Sequence, residues 1–236
     1  PPERGTSRRY TRRMPILSEP PPRAPGTVTG VSPTVAAVFE RIMQQIQTGV
    51  LTPGSLVRDA EIAADFGVSR TPVREAISLL RDVGVLEVSA NRYTRVVATS
   101  PERTRQISNV WFPLHRMVVT ELLDAAPLDR RTIAALEDLQ ALTIAATADG
   151  DQAGFTTATA KFYDVLLARV DNPALRRATA SVVHAFRLGI ASLSIPVDMA
   201  SAGRSQRLLI DALRDADAAG ADASLAELES IVIPVP

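Results

Sequence analysis

From Ser32 onward the apolar residues recur at helical spacing. Val35, Val38, Phe39, Ile42 and Ile46 stand at i, i+3, i+4, i+7 and i+11, which places them on one stripe of a helix. Ser32 supplies a capping hydroxyl, Pro33 fits the first helical position, and Gly49 ends the segment. Pro53-Gly54 marks a turn. Asp59 is expected to cap a short second helix through Phe66, which Gly67 breaks. A third helix opens at Ser69 or Thr71, ahead of Pro72, and buries Val73, Ala76, Ile77 and Leu80.

After Gly84 the period shortens to two. Leu86, Val88, Thr94 and Val96 alternate with Glu87, Ser89, Arg95 and Val97 around Ala90-Asn91-Arg92, the pattern of a β-hairpin. Three helices followed by a hairpin is the order of a winged helix-turn-helix. From Ser100 every periodic segment is helical: about 101–126, 129–148, 151–170, 173–194, 199–218 and 223–233. The breaks fall at Pro127, Asp149-Gly150, Asn172-Pro173, Pro196 and Gly220, and Pro113 is expected to kink or split the first helix. The expected fold is mainly α, with an N-terminal winged helix-turn-helix at residues 32–99 and an all-α helical bundle domain at residues 100–236.

Residues 1–31 follow neither period. They hold seven of the 17 prolines, and six arginines against two glutamates, the composition of a disordered basic arm. It reads as a solvated tail ahead of a natural start at Met14, with a DNA-touching arm as the alternative.

Charge looks uninformative at first, with 26 Lys+Arg against 26 Asp+Glu. Divided after Thr99, the chain has 13 cations and 9 anions on one side and 13 and 17 on the other. The arm alone accounts for the basic excess, because residues 32–99 carry seven of each sign. Bulk charge therefore says little about a nucleic-acid partner, and the placement of single arginines must carry that question. With no cysteine in the chain, disulfides, thiolate nucleophiles and cysteine-based zinc sites are excluded. No apolar run approaches the roughly 18 residues of a membrane span, so a cytoplasmic protein that makes no use of a membrane is expected. No glycine-rich phosphate loop, nucleophile elbow or His-Glu-x-x-His segment argues for an enzyme.

The third helix holds the chemistry. At about 100° per residue, Arg70, Arg74 and Arg81 fall within roughly 40° of one another beside the buried stripe. Ser69 and Thr71 add hydroxyls at the helix N-terminus, where free N–H groups and the dipole favour a phosphate. Such a helix can be held by its apolar face while it offers arginines to a major groove. A solvated helix whose arginines pair with Glu75 or Asp82 satisfies the same pattern.

The run Gly67-Val68-Ser69-Arg70-Thr71-Pro72-Val73-Arg74-Glu75-Ala76, preceded by Pro53-Gly54 and followed by the hairpin, resembles the winged-helix domain of GntR-family bacterial transcription regulators. The resemblance implies operator contacts from Ser69, Arg70, Thr71 and Arg74, to which Arg81 and the wing residues Arg92, Tyr93 and Arg95 are added as candidates. Two positions depart from the family: Ala60 replaces an arginine of the second helix, and Tyr93 stands where the wing turns on glycine.

The second half is similar to the FCD effector domain of the FadR-like branch at Gly150-Asp151, Phe162, Asn172-Pro173-Ala174-Leu175 and Arg207 to Leu213. That domain binds a divalent metal through one Asp and three His, and the metal helps hold a carboxylate effector. The matching positions here read Thr159, Tyr163 and Gln206, with the fourth near residues 228–230, which is no ligand set for a zinc-like ion. No metal or other cofactor is therefore expected. His115 and His184 read as structural histidines, or else His184 or Arg187 joins Thr159, Tyr163 and Gln206 around a metal-free pocket. The expected protein is a homodimeric, operator-binding regulator, a repressor by the family's commoner logic, controlled by a small-molecule effector such as an organic acid. The alternative is a constitutive or partner-controlled DNA-binding dimer whose C-terminal domain serves only as a scaffold.

Overall fold

The computed structural model describes residues 31–89, 92–192 and 198–232. Apart from Val31, the basic arm lies outside the described residues, as do the expected turn residues Ala90 and Asn91 and the break at Pro196.

The N-terminal unit is built from α1 (Pro33–Gln47), α2 (Asp59–Phe66), α3 (Arg70–Asp82), β1 (Leu86–Ser89) and β2 (Tyr93–Val96). Ser32 caps α1 through its hydroxyl, which accepts from the Val35 N–H at 3.3 Å, and Pro33 takes the first helical position. Asp59 does not cap α2. It is the first helical residue, the cap position belongs to Arg58, and no side chain closes that end. As a carboxylate in the first turn Asp59 still complements the helix dipole. Gly67 adopts a left-handed φ of 66° between α2 and α3, a conformation that costs an L side chain about 1–2 kcal/mol. This permits the tight turn of the helix-turn-helix. The start of α3 resolves to Ser69.

The wing pairs antiparallel with Leu86 opposite Val96 and Ser89 opposite Tyr93, and Leu56 adds a bridge to Arg95. Its alternation is anchored at one end only. Leu86 and Val96 are buried in the core, whereas Val88 is 44% exposed, so only the Leu86–Val96 end of the pair is anchored in the core. Phe39, Ile42, Val73, Leu80 and Leu86 form the centre of this core.

Among the described residues the second unit contains α4 (Pro101–Asp124), α5 (Arg130–Ala148), α6 (Gln152–Leu167), α7 (Pro173–Ser192), α8 (Met199–Asp215) and α9 (Ala218–Val232). The expected split at Pro113 does not occur. The α4 helix runs unbroken through it, with Trp111, Phe112 and Val118 buried on either side, and that packing offsets the backbone bond a proline forfeits. Gly220 is likewise no break and lies inside α9. The chain turns earlier, at Ala216 in a left-handed conformation with φ 54°. The α5 helix packs on α6 and α8, α8 on α9, and α4 on α7, around Phe112, Leu136, Phe162, Leu166, Leu209 and Leu225.

The α7 helix, with α6 beside it, packs the second unit against the first. Leu188 of α7 is buried in the N-terminal core, and the His184 ring meets Phe39 of α1 edge-on at 5.1 Å between centroids. Gly84 faces Ala185 so closely that a Cβ there would sit 3.7 Å from the alanine methyl.

Candidate nucleic-acid interface and effector pocket

The α3 helix buries Val73, Ala76, Ile77 and Leu80 and leaves its arginines outside. In the free protein Arg70 and Arg74 meet on one carboxylate. Arg70 Nη2 donates to Asp59 Oδ1 at 2.9 Å and Oδ2 at 3.0 Å, and Arg74 Nε donates to Oδ2 at 2.7 Å. Hydrogen bonds from the two arginines, Arg74's the stronger influence, hold the Asp59 carboxyl below the usual range. Asp59 thus ties the first turn of α2 to the first turns of α3. Sequence reasoning missed this partner, since the carboxylate lies 11 and 15 residues away from the two arginines.

Arg81 is not brought to the same place. It sits about 16 Å beyond Arg70 and about 10 Å beyond Arg74 along the helix axis and bonds its neighbours Asp82 and Ser78. On the wing, the Arg95 guanidinium lies 4.5 Å from the centre of the Tyr93 ring and bonds Glu87 across the strand pair, while Arg92 is exposed at the tip. Ser69 makes no cap hydrogen bond through its side chain, so its hydroxyl is not committed to its own helix.

In the helical unit a cavity opens between α4, α6, α7, α8 and α9, with about 580 Å³ of empty space including its mouth. Trp111 is its central wall, stacked between His115 at 3.6 Å and Phe186 at 4.4 Å and met edge-on by Tyr163 at 5.0 Å. Into this apolar surround the chain buries polar atoms that it leaves without a hydrogen-bond partner: Trp111 Nε1, Thr159 Oγ1, Tyr163 OH and Arg187 Nε, all on residues that line the cavity. Gln206, one turn along α8 from the lining residue Ala202, is fully buried with both amide atoms also unpartnered. An unmade buried hydrogen bond costs about 1–3 kcal/mol, and few occur in native proteins. Five such side chains in one region mark a site that is completed by something else.

Arg187 is the only charged residue of the lining. Its Nη2 donates to Asp164 Oδ2 at 2.6 Å and to the Ala160 carbonyl at 3.3 Å. Burial raises the Asp164 carboxyl while Arg187 pulls it down. Glu40 of α1 is also raised, first by desolvation, and it senses both Arg187 and Asp164.

Of the expected pocket residues, the cavity gathers Thr159, Tyr163 and Arg187 directly and has Gln206 next to it. His184 is placed elsewhere, against Phe39 at the junction of the units. Trp111, Phe186, Asp164 and Glu40 were not anticipated; the clue was the three-residue step from Val183 to Phe186, Arg187 and Ile190 on one face of α7.

The residues present do not fit the divalent metal of the related effector domain. At the positions to which the resemblance assigns its ligands, Thr159, Tyr163 and Gln206 offer a hydroxyl, a phenol that burial pushes well above its ordinary value and an amide, all poor donors for such an ion. His115 is buried and driven down to about 4, chiefly by desolvation. It is a neutral ring whose Nδ1–H donates to the Trp111 carbonyl at 2.9 Å. Among the described residues no group of three or more His, Cys, Asp or Glu could hold a metal ion, and no helix is long and apolar enough to cross a membrane.

Comparison with known proteins agrees with these geometries. The family model for bacterial regulatory proteins of the gntR family matches residues 34–96, and that for the FCD domain matches residues 117–229. A helix-turn-helix transcriptional regulator of Agrobacterium vitis, from the ttuE–ttuC′ intergenic region, is 29% identical over 152 residues, covering 64% of this chain and 89% of its own. A Paenarthrobacter nicotinovorans protein, named as the probable repressor of a D-xylose utilization operon, is 29% identical over 208 residues, 85% of this chain and 88% of its own. Among solved structures, Escherichia coli McbR/YncC superposes with a TM-score of 0.71 at 22% identity, over 85% of this chain and 95% of its own. A GntR-type regulator from Rhodococcus sp. RHA1 gives 0.69 at 19% identity, over 87% of this chain and all of the other. The chain belongs to the GntR family of bacterial regulatory proteins, in the FadR-like branch that joins a winged helix-turn-helix to an FCD domain, and it is a transcriptional regulator rather than an enzyme.

Proposed function

We propose that this protein is an operator-binding repressor whose DNA affinity is set by a small molecule bound, without metal, in the cavity of its helical domain. The observation that carries the reading is the set of unpartnered buried polar atoms around Trp111, Thr159, Tyr163 and Arg187. A dimerisation scaffold has no use for them, because replacing buried unpaired polar groups by apolar ones stabilises a core. Ser69, Arg70, Thr71 and Arg74 are the operator contacts, with Ser69 and the helix N-terminus on the phosphate backbone and the arginines on base edges. Arg92, Tyr93 and Arg95 serve the wing, and Arg81 at most touches a flanking phosphate.

Two such heads read a pseudo-palindrome if the chain forms a two-fold dimer. The α4 helix supports this: Val110 and Met117, seven positions apart and so on one face, are 47% and 53% exposed. An operator-binding regulator acts in the cytoplasm, where the chromosome is. The test is a screen of small metabolites, D-xylose among them because of the Paenarthrobacter relative, by thermal shift and by operator binding on one preparation. A ligand that stabilises the protein and changes operator affinity supports the reading; intact operator binding that no ligand alters supports the scaffold instead.

A further inference from the structure

The cavity's charge is already matched from within. Arg187 is the only charged lining residue, and its Nη2 is committed to Asp164 Oδ2 at 2.6 Å. That pair is nearly enclosed, with side-chain exposures of 14% and 10%. A second carboxylate, Glu40, is close enough for Arg187 to act on it, and Lys161 acts on Asp164 from an exposed position. Among the described residues, no cation of the lining is left over for an anionic ligand. A carboxylate entering the cavity would either stay unpaired or draw Arg187 away and strand Asp164 in a buried site, and breaking one side of a buried ion pair is strongly unfavourable.

With Arg187 paired to Asp164, the unpartnered groups around the cavity add no net charge. Trp111 Nε1 and Arg187 Nε can only donate, whereas the Tyr163 and Thr159 hydroxyls can donate or accept. The rest of the wall is apolar apart from Thr156, whose hydroxyl donates to the Gln152 carbonyl. The unpartnered atoms are themselves buried, so a ligand meets an almost wholly apolar surface and reaches an N–H or O–H group only by a small shift of a lining side chain.

We infer that the pocket takes an uncharged ligand, with a carbonyl, amide or hydroxyl head on a compact apolar body, and rejects the corresponding carboxylate. This rests on the effector reading above and departs from the organic acid that the family resemblance suggests. Arg187 then recognises its ligand through Nε while Nη2 stays on Asp164, so Asp164 determines specificity without touching the ligand.

The test uses the full chain and two matched series of probes: benzyl alcohol, benzamide and benzoate, and butan-1-ol, butyramide and butyrate. Dissociation constants are read by ligand-observed NMR at neutral pH. The neutral members should bind at least about tenfold more tightly than the carboxylates. Tyr163→Phe with Thr159→Val should weaken the neutral members, which places them in the cavity. Asp164→Asn, checked for a cooperative melt, should free Arg187 and shift the ratio toward benzoate by about tenfold. A merely structural Asp164 would not change the ratio. If that variant does not fold, the wild-type ratio decides alone. Carboxylates binding as tightly as the amides, with the binding lost in the Tyr163 and Thr159 variant, would overturn the inference and leave the effector pocket standing. No binding by any of the six probes would overturn both.

Discussion

Removing Asp59 should strengthen DNA binding while it weakens the protein. In the free protein this carboxylate receives three hydrogen bonds from Arg70 and Arg74, and both guanidinium groups are more than half exposed. Exposed pairs of this kind are each worth about 0.2–1 kcal/mol, so Asp59→Asn should lower stability by no more than about 2 kcal/mol. The same pairs must loosen before the arginines reach a groove. Their loss in advance should improve affinity for any duplex by a similar amount, roughly tenfold. With one negative charge gone from the contact region, the slope of log affinity against log salt should steepen by about one. Because the tether is released on any duplex alike, the ratio of operator to scrambled affinity should stay unchanged. Fluorescence anisotropy on operator and scrambled duplexes between 50 and 200 mM salt, a range chosen to expose this slope, reads all three effects. Because the folded state holds the Asp59 carboxyl below its ordinary value, its contribution to stability is complete above the unfolded pKa and is lost as pH falls through the folded one. The stability difference between wild type and variant should accordingly close in acid. Unchanged affinity and slope in Asp59→Asn would falsify the placement of Arg70 and Arg74 at the DNA.

Other substitutions probe the remaining claims. Arg74→Ala should cost about 1–3 kcal/mol of operator affinity, measured in the same titration, and a loss equal on operator and scrambled DNA would show a phosphate contact in place of base readout. Gly189→Ala should destabilise the fold by about 1–3 kcal/mol despite the better helix former, because its Cβ would sit 2.7 Å from Thr104 Oγ1 and 3.2 Å from Thr104 Cβ; a raised melting temperature would show that α4 and α7 separate easily. Met117→Lys should turn a dimer into a monomer in light scattering, and a dimer that survives it places the two-fold interface on another helix. Leu188→Ala should cost about 2–5 kcal/mol and, in folded protein, reduce the effect of a bound ligand on operator affinity; full retention of that effect would exclude this contact from the coupling.

Much of the fold was legible because single-element signals agreed. The stripe from Val35 to Ile46, the Ser32-Pro33 start and the Leu86/Val96 alternation each reported a local property that packing then reinforced. The failures have a common cause. Pro113 and Gly220 read as breaks from their own backbone preferences, yet burial around Trp111 and Phe112 holds α4 together through the proline, while the turn before α9 is made by Ala216, whose left-handed conformation no residue type announces. The site divided in the same way. Arg70 and Arg74 were identifiable from helical spacing and from the residues around them, whereas their partner Asp59 depends on how α2 crosses α3. Thr159, Tyr163 and Gln206 were found at positions defined by the family's metal site, but Trp111 and Asp164 enter the pocket only through the packing of α4 and α6 on α7.

The α7 helix gives the two halves a physical connection. Its Val183, Phe186, Arg187 and Ile190 line the cavity, while His184 and Leu188, interleaved with them, pack on Phe39 and the N-terminal core. Neighbouring positions on a helix point about 100° apart, so one rigid element carries both surfaces, and a ligand cannot shift the first face without carrying the second. Glu40, on the same helix as Phe39, feels the charge of Arg187 and Asp164. Ligand binding alters operator affinity only if the arrangement of the DNA heads that it prefers differs from the one that DNA prefers. A ligand that completes the hydrogen bonds of Trp111, Tyr163 and Arg187 favours whichever setting of α7 brings those groups together.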